Sequence, residues 1–215
     1  LHSAFCLAVI SAACATIPLP PPEPSVITWQ EKLGWIMRLE DQRILRDPNP
    51  PAPAVLAPAT RDRPAIIAPP PPSDLIRLLN DDEARVRRRA ALALGRAGLA
   101  EAVEPLAALL AADEDPEVRQ MAAFALGLID EGAARPALLA ALTDASPIVQ
   151  GRAAEALGAL GDRSDAGAVG EMVQAHVNAG AFAGIAADDL TYPLSPPTEA
   201  ARLGLYALVT LGSYE

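Results

Sequence analysis

The sequence predicts an all-α fold, an α-solenoid built from antiparallel helix pairs. Alanine dominates its apolar residues and only 4% of the 215 residues are aromatic, which favours close-packed helices over a β-sheet. Three segments align without gaps, namely DDEARVRRRAALALG from Asp81, DEDPEVRQMAAFALG from Asp113 and DASPIVQGRAAEALG from Asp144. A shorter apolar helix precedes each of them, so one unit is two helices of about thirty residues in all.

The residue types within the unit suit stacked helix pairs. Alanine recurs at three positions, which lets neighbouring helices approach closely, and Val and Leu fill the remaining space. The opening Asp is expected to cap the second helix, with Pro116 and Pro147 in its first turn. The closing glycine, which is Gly95, Gly127 or Gly158, is expected to provide the left-handed residue that ends this helix. Stacked units then share one continuous core.

The repeat domain is predicted to span 73–215. Its units are expected at about 73–98, 101–129, 132–161 and 165–212. The fourth unit is interrupted, because Leu208 follows Leu157 by 51 residues where the earlier spacing is 31 or 32. We expect the natural protein to continue beyond Glu215.

The extra residues form an insertion at 175–198, which is expected to emerge as a loop on one face of the stack. Its adjacent Asp188 and Asp189 suit either a polar-ligand site or a solvated loop. His176 is expected to be an ordinary loop or helix-end residue rather than a catalytic base.

Residues 1–15 are predicted to be a signal peptide. The apolar run from Ala4 to Ala15 suits a signal-peptide core and is too short for a transmembrane helix. Three alternatives stay open: cleavage at the small-x-small sequence that ends at Ala15, lipidation of Cys14 in a sequence that resembles a bacterial lipobox, or a buried N-terminal helix. We expect export to the periplasm, with a membrane-anchored lipoprotein favoured over a soluble periplasmic protein.

Two Pro-rich tracts and a single helix separate this segment from the repeats. Residues 16–27 are predicted to be a stiff tether and residues 48–72 a mostly extended linker, whose AVLA and AIIA runs can dock locally. Between them, 28–47 is predicted to be an amphipathic helix, since Thr28 and Glu31 have the spacing of a capping box. Its apolar side carries Trp29, Leu33, Ile36, Met37 and Ile44. Because a helix with two tryptophans does not stay soluble alone, it is expected either to cap the repeat domain or to contact another protein.

Composition excludes several classes of function. A net charge of −10 argues against binding to nucleic acid, which needs a positive surface. Both cysteines lie near the N-terminus, and His176 is the one histidine beyond it, so the sequence has no Cys or His metal cluster. It also has no phosphate-binding Gly-rich loop and no nucleophile elbow. We therefore expect no catalytic residues, no metal and no cofactor.

The repeated pattern V-R-x-x-A-A-x-A-L-G occurs as VRRRAALALG and VRQMAAFALG, and as VQGRAAEALG with Gln150 in place of the arginine. It resembles HEAT repeats of the short phycobilisome-lyase-like type over about 73–173, with a weaker continuation from 199. The resemblance implies a ladder of ion pairs between adjacent repeats, formed by Arg87, Arg119, Asp81, Asp113 and Asp144. It also implies that Gln150 weakens one rung.

The family that carries these repeats ranges from scaffolds to bilin lyases and metal hydroxylases. The hydroxylases need repeated His-Glu pairs, whereas His176 precedes a valine. The arrangement of signal, Pro-rich tether and repeats also resembles chains that carry a cyclophilin-like prolyl isomerase domain further on. Bilin-lyase-like activity and a role as the N-terminal adaptor of such an isomerase are therefore alternatives to a non-catalytic scaffold.

One stripe of each second helix avoids the repeated core positions and differs between units. Because second helices line the concave face in this family, the stripes are expected to form a protein-binding groove, made of Arg85, Arg89, Arg96, Met121, Phe124, Leu128 and Arg152. The groove suits a partner with an apolar anchor and acidic flanks. The alternative is that the helix at 28–47 or the insertion covers this strip. The predicted function is protein binding by a scaffold in the bacterial cell envelope.

Overall fold

The computed structural model describes residues 27–50, 55–61, 63–67, 74–186 and 193–212. They fall into two units. The described residues of the smaller unit are 55–61 and 63–67, and those of the larger unit are the remaining three ranges. Within these ranges, no helix is both long enough and apolar enough to cross a membrane.

The described part of the smaller unit is a short β-hairpin within the second Pro-rich tract. Strand β1 (Val55–Ala57) pairs antiparallel with β2 (Ile66–Ile67). At the turn, the Thr60 N–H donates to the Arg63 carbonyl oxygen at 2.9 Å. The apolar runs that were expected to dock locally therefore dock on each other, which adds two short strands to a fold expected to be entirely helical.

The first helix of the larger unit is α1 (Trp29–Gln42). Thr28 and Glu31 form the predicted capping box: the Thr28 hydroxyl accepts from the Glu31 N–H, and the Glu31 carboxylate accepts from the Thr28 N–H at 2.8 Å. The helix ends before the predicted residue 47, because Arg43 takes the left-handed conformation with φ of 52°. The chain then leaves the helix direction, and the Leu45 carbonyl oxygen accepts from the N–H of Leu75 at 2.9 Å.

The repeats form the predicted α-solenoid of helix pairs. First helices alternate with longer second helices in the order α2 (Leu75–Leu78), α3 (Ala84–Ala97), α4 (Val103–Ala112), α5 (Pro116–Ile129), α6 (Arg135–Ala141), α7 (Pro147–Leu160), α8 (Ala166–Asn178) and α9 (Pro196–Thr210). Short 3₁₀ turns at 100–102, 132–134 and 163–165 lead into α4, α6 and α8.

The second helices stack side by side in one layer. In this layer α1 packs on α3, and α3, α5, α7 and α9 follow in order, while each first helix packs on the second helix of its own pair. The shared core consists of the repeated Ala, Val and Leu positions, of which Leu94, Leu126 and Leu157 are fully buried. Burial of a leucine side chain stabilises by roughly 1.5–3 kcal/mol, so a repeated leucine stabilises every interface of the stack.

The repeated glycines have a different role from the one expected. Gly95, Gly127 and Gly158 lie inside their helices, and the left-handed ends are instead formed by the next loop residues. A Cβ atom on Gly95 would lie 2.7 Å from the Cα of Ala125 on the neighbouring helix. On Gly127 it would lie 2.9 Å from the Cβ of Ala156. Glycine is therefore needed because adjacent second helices touch here, and not because of backbone conformation.

The repeated aspartates also differ from the expectation that they cap the second helices. The N-cap residues are Glu83, Asp115 and Ser146, two residues further on. The repeated side chain accepts a hydrogen bond from the backbone N–H of that N-cap residue, as Asp113 does from Asp115 at 3.0 Å. Each repeated aspartate thus shapes the loop that precedes its second helix.

The insertion begins within α8 and ends at the start of α9. Helix α8 runs to Asn178 and is followed by turns up to residue 184. The Thr198 hydroxyl donates to the Ala181 carbonyl oxygen at 2.6 Å and ties these turns to α9. Asp188 and Asp189 lie outside the described residues.

Candidate protein-binding surface

A ladder of ion pairs joins the loops of successive repeats. The Arg87 guanidinium donates to both carboxylate oxygens of Asp113, from Nε at 2.7 Å and from Nη2 at 2.9 Å. Arg119 makes the same bidentate contact with Asp144, with both distances at 2.8 Å. In each case Nη1 reaches back to a loop carbonyl of its own repeat, which for Arg87 is that of Asp81 at 2.9 Å. These residues are thus structural.

The ladder shifts the ionisation of its members. Hydrogen bonds to Asp113 and Asp144 raise the pKa values of Arg87 and Arg119. Burial alone would raise the pKa of Asp113, but the hydrogen bonds from Arg87 and from the Asp115 N–H outweigh it, so that this pKa is lowered. The pKa of Asp144 is lowered for the same reasons.

Helix α1 supplies the first rung. The Lys32 ammonium lies 2.8 and 3.0 Å from the two carboxylate oxygens of Asp81, the aspartate equivalent to Asp113. Helix α1 thus takes the place of a second helix that precedes the first repeat. The alignment of the repeats within the chain did not predict this ion pair, because the linker separates Lys32 from Asp81 and α1 lacks the repeated pattern.

The contact at Gln150, which replaces the arginine, has no charge pair. The Gln150 amide donates to the Asp144 carbonyl oxygen at 2.6 Å and accepts from Nε2 of His176 at 2.7 Å. Burial lowers the pKa of His176, which lies in the last turn of α8. In the first-helix layer, Arg135 binds the buried carboxylate of Asp165, an additional link that the sequence pattern did not indicate.

The arginines of the first repeat are engaged within the chain, contrary to the expectation that they are free to recognise a partner. Glu40 of α1 pairs with Arg89 through Oε2 and with Arg96 through Oε1, the latter at 3.0 Å. The Arg85 guanidinium lies 4.7 Å from the ring centre of Trp29 and also pairs with the Glu83 carboxylate. Helix α1 therefore covers this end of the predicted groove.

The apolar strip on α5 lies outside this cover. Met121 and Phe124 are half-buried, and Leu128 has 43% of its surface exposed. The Arg152 guanidinium of α7 lies 5.6 Å from the ring centre of Phe124 and donates to Glu155 Oε2 at 2.7 Å. The structure thus brings together the four predicted residues Met121, Phe124, Leu128 and Arg152.

Cavities follow the strip along α5 and α7. One of about 250 Å³ lies near the start of these helices, where Pro193 and Leu194 at the end of the insertion form one wall. A second, of about 160 Å³, is lined by Gln120, Met121, Phe124 and Arg152. The described part of the insertion therefore borders the strip at its end.

A third cavity, of about 220 Å³, lies where α5, α7 and α9 meet. It is lined by Phe124, Gly127, Leu128, Glu155, Ala156, Ala159, Tyr206 and Thr210. Tyr206 is 57% exposed and extends the strip onto the fourth repeat. The sequence prediction stopped the stripe at the third repeat, although the alignment of Leu208 with Leu126 places Tyr206 at the position of Phe124.

Another cavity, of about 560 Å³, lies beside the ladder, between the loop that precedes α3 and helix α4. Its charged lining includes Arg87 and Asp113, which bind each other. Among the described residues, no group of three or more His, Cys, Asp or Glu side chains is placed to hold a metal ion.

Comparisons with known proteins concern the repeats. A family model described as HEAT repeats matches residues 103–179, and one described as PBS lyase HEAT-like repeat matches residues 86–112. No curated protein matches. Among solved structures, the complex of CpcE and CpcF of phycocyanin lyase from Nostoc sp. PCC7120 is similar, with 28% identity and a TM-score of 0.53. The match covers 73% of this chain and 59% of that one.

An engineered protein of known crystal structure is also similar, with 23% identity and a TM-score of 0.40, over 65% of this chain and 61% of the other. The chain thus spans less than two thirds of the length of both solved relatives.

Proposed function

We propose that this chain, a HEAT-repeat protein with repeats of the phycobilisome-lyase-like type, is a non-catalytic scaffold that binds another protein on its second-helix layer. The observation that carries the proposal is the row formed by Phe124, Leu128 and Tyr206 across α5 and α9. Leu128 and Tyr206 are exposed, whereas Leu126 and Ala207, which occupy repeated core positions of the same helices, are buried. An exposed apolar row flanked by polar groups is typical of a surface that buries itself against a partner.

The charged groups with shifted pKa values support a structural rather than a catalytic use of charge. Arg87, Asp113, Arg119 and Asp144 bind one another between repeats. The perturbed ionisation of these four groups is thus explained by the ladder, whereas in enzymes it concentrates at groups that face substrate.

Site-specific photo-crosslinking in the native cell tests this function. A photo-crosslinking amino acid at position 128 is expected to give a defined cross-linked protein, identified by mass spectrometry. Substitution Tyr206→Ala in the same chain should reduce the yield. The control position is Val177 on α8, which is 42% exposed but lies away from the strip. The proposal fails if position 128 gives no product, or the same products as position 177.

A second candidate, bilin-lyase-like activity, is favoured by the likeness to the phycocyanin lyase complex over most of this chain. That structure holds two different proteins, CpcE and CpcF, in complex. By analogy, the partner here would be another helical-repeat protein. Addition of a bilin to the purified chain separates the candidates: a changed bilin absorption spectrum supports the lyase-like role, and an unchanged spectrum supports the scaffold.

Location in the bacterial cell envelope is part of the proposal. Its support is the uncharged apolar run from Ala4 to Ala15 followed by prolines, and Cys14 in that run lies outside the described residues. Metabolic labelling with a radioactive fatty acid should mark the full chain and not its Cys14→Ser variant. Equal labelling would exclude Cys14 as the anchor, and recovery of both proteins from the cytoplasm would exclude export.

The adaptor role for a longer prolyl isomerase remains a separate proposal. It rests on the order of apolar segment, Pro-rich tether and repeats. The gene sequence beyond codon 215 decides it, since a β-rich domain there supports the adaptor and further helical repeats support the scaffold alone.

A further inference from the structure

We infer that the cavity between α5, α7 and α9 binds a single basic side chain, a lysine or an arginine, of the partner protein. This inference rests on the proposed function and adds the chemistry of the group that is recognised. The sequence led us to expect acidic flanks on the partner. We infer a basic group instead, because Arg89 and Arg96 are already paired with Glu40.

The charge of the cavity favours a cation. Among the described residues that line it, Glu155 is the one charged side chain, and the others are apolar apart from the Tyr206 and Thr210 hydroxyls. The Arg152 guanidinium binds Oε2 of Glu155 from the neighbouring cavity and is not part of this lining. No described residue donates a hydrogen bond to Oε1, so this oxygen is available to an incoming donor.

The walls suit the aliphatic stem of such a side chain. Phe124, Leu128 and Tyr206 surround the space next to Glu155, and lysine and arginine bury their methylene groups on surfaces of this kind while the charged end stays hydrated or paired. Aromatic faces also attract cations. Two such contacts occur among the described residues: Arg85 lies over Trp29, and Arg152 lies over Phe124, a wall of this cavity.

The size of the cavity indicates one side chain rather than a small-molecule ligand. Its volume is about 220 Å³. Cavities that enclose a small molecule are usually roughly 300–1,000 Å³. The net charge of −10 acts in the same direction at longer range, since an acidic chain attracts a basic partner.

Titration by NMR with two matched probes tests the inference. N-acetyl-lysine methylamide carries the ammonium group, and N-acetyl-norleucine methylamide has nearly the same stem without the charge. With ¹⁵N-labelled protein, the lysine probe is expected to shift the amide signals of Leu128, Glu155 and Tyr206. The norleucine probe is expected to bind about fivefold more weakly, as loss of one ion pair and one cation–π contact implies.

Charge variants complete the test. Glu155→Gln removes the ion pair but keeps the aromatic walls, so it should weaken lysine binding to a level between those of the two probes in the native chain. Glu171→Gln, which removes the same charge from an exposed position on α8, should leave lysine binding unchanged. The spectrum of each variant also reports its folding. The inference is overturned if both probes bind equally, if neither shifts these signals, or if Glu155→Gln leaves lysine binding unchanged.

Failure here is distinguishable from failure of the proposed function. Equal binding of both probes would leave an apolar partner site intact, and the cross-link from position 128 would still form. If instead position 128 gives no cross-link and lysine binding is retained, the proposed partner protein is contradicted and the cation site is supported.

Discussion

The Arg119 guanidinium binds both carboxylate oxygens of Asp144, with Nε to Oδ2 and Nη2 to Oδ1 each at 2.8 Å. Its Nη1 atom also donates to the Asp113 carbonyl oxygen at 2.9 Å. One side chain therefore ties together two loops from successive repeats. Both charged groups are about 85% buried, with 14% and 13% of the side chains exposed, so the contact is poorly screened by solvent.

Loss of one ladder partner should destabilise the stack. For Asp144→Ala we expect the free energy of unfolding to fall by about 2–3 kcal/mol, because the largely buried Arg119 is left without its partner. The ion pair of Arg88 with Glu117 is the control, because its charged atoms are 3.5 Å apart and both side chains are about half exposed. Arg88→Ala should therefore lower the free energy of unfolding by less than about 0.5 kcal/mol. Urea unfolding followed by circular dichroism measures the free energy of unfolding of both variants. Equal decreases would contradict a larger contribution of the ladder to stability.

A methyl group at the helix contact should also be destabilising. Gly95→Ala places a Cβ 2.7 Å from the backbone of Ala125, and overpacking of this kind costs roughly 1–3 kcal/mol. Gly170→Ala on α8 is the matched control, since nothing lies within 4 Å of its new Cβ. There the higher helix propensity of alanine should stabilise by about 0.5–1 kcal/mol. Thermal melts should therefore shift in opposite directions, and shifts of the same sign would contradict the close contact.

Acid should weaken the ladder. The folded-state pKa values of Asp113 and Asp144 lie below their ordinary value, so the unfolded chain binds more protons between the folded and unfolded pKa values. Their contribution is complete above about pH 5 and is lost as the pH falls below about 4, through the folded pKa values. Unfolding free energies at pH 7 to 3 should decline less steeply for the double variant Asp113→Asn, Asp144→Asn than for the native chain. Parallel curves would show that other groups govern acid unfolding.

Helix α1 should be an integral part of the repeat domain. Ile36 is fully buried, whereas the next residue, Met37, is 55% exposed. Ile36→Ala should lower the free energy of unfolding by about 2–4 kcal/mol through the lost apolar burial and the cavity that remains. Met37→Ala should change it by less than about 0.5 kcal/mol. If chemical denaturation gives the same small change for both, α1 is not docked in solution.

Much of the architecture could be predicted from local patterns. The 31- and 32-residue spacing of the aligned segments indicates helix pairs, and the alternation of repeated and variable positions separates the core from the apolar strip at Met121, Phe124 and Leu128. The capping box at Thr28 marks where α1 begins. These features depend on neighbours within a few residues or on a repeated pattern, and both can be recognised in the amino-acid sequence.

Other features depend on which segments meet in space. The roles of Gly95 and Gly127 differ from the predicted helix ends because they are set by the distance to the next helix, which no local motif encodes. Tyr206 reaches the strip although an insertion separates it from the third repeat.

The sequence by itself determined the repeat, the helix pairs and the chemistry of the strip, because periodic burial leaves a periodic pattern of residues. Only the tertiary structure decided how the charges are used. Arg89 and Arg96 look free in the sequence, but they lie against Glu40, 49 and 56 residues earlier in the chain. The intervening linker has no repeat pattern from which this contact could be deduced. The pairing of these arginines within the chain leaves Glu155 as the one charged side chain among the described residues that line the cavity between α5, α7 and α9, on which the proposal of a basic partner group rests.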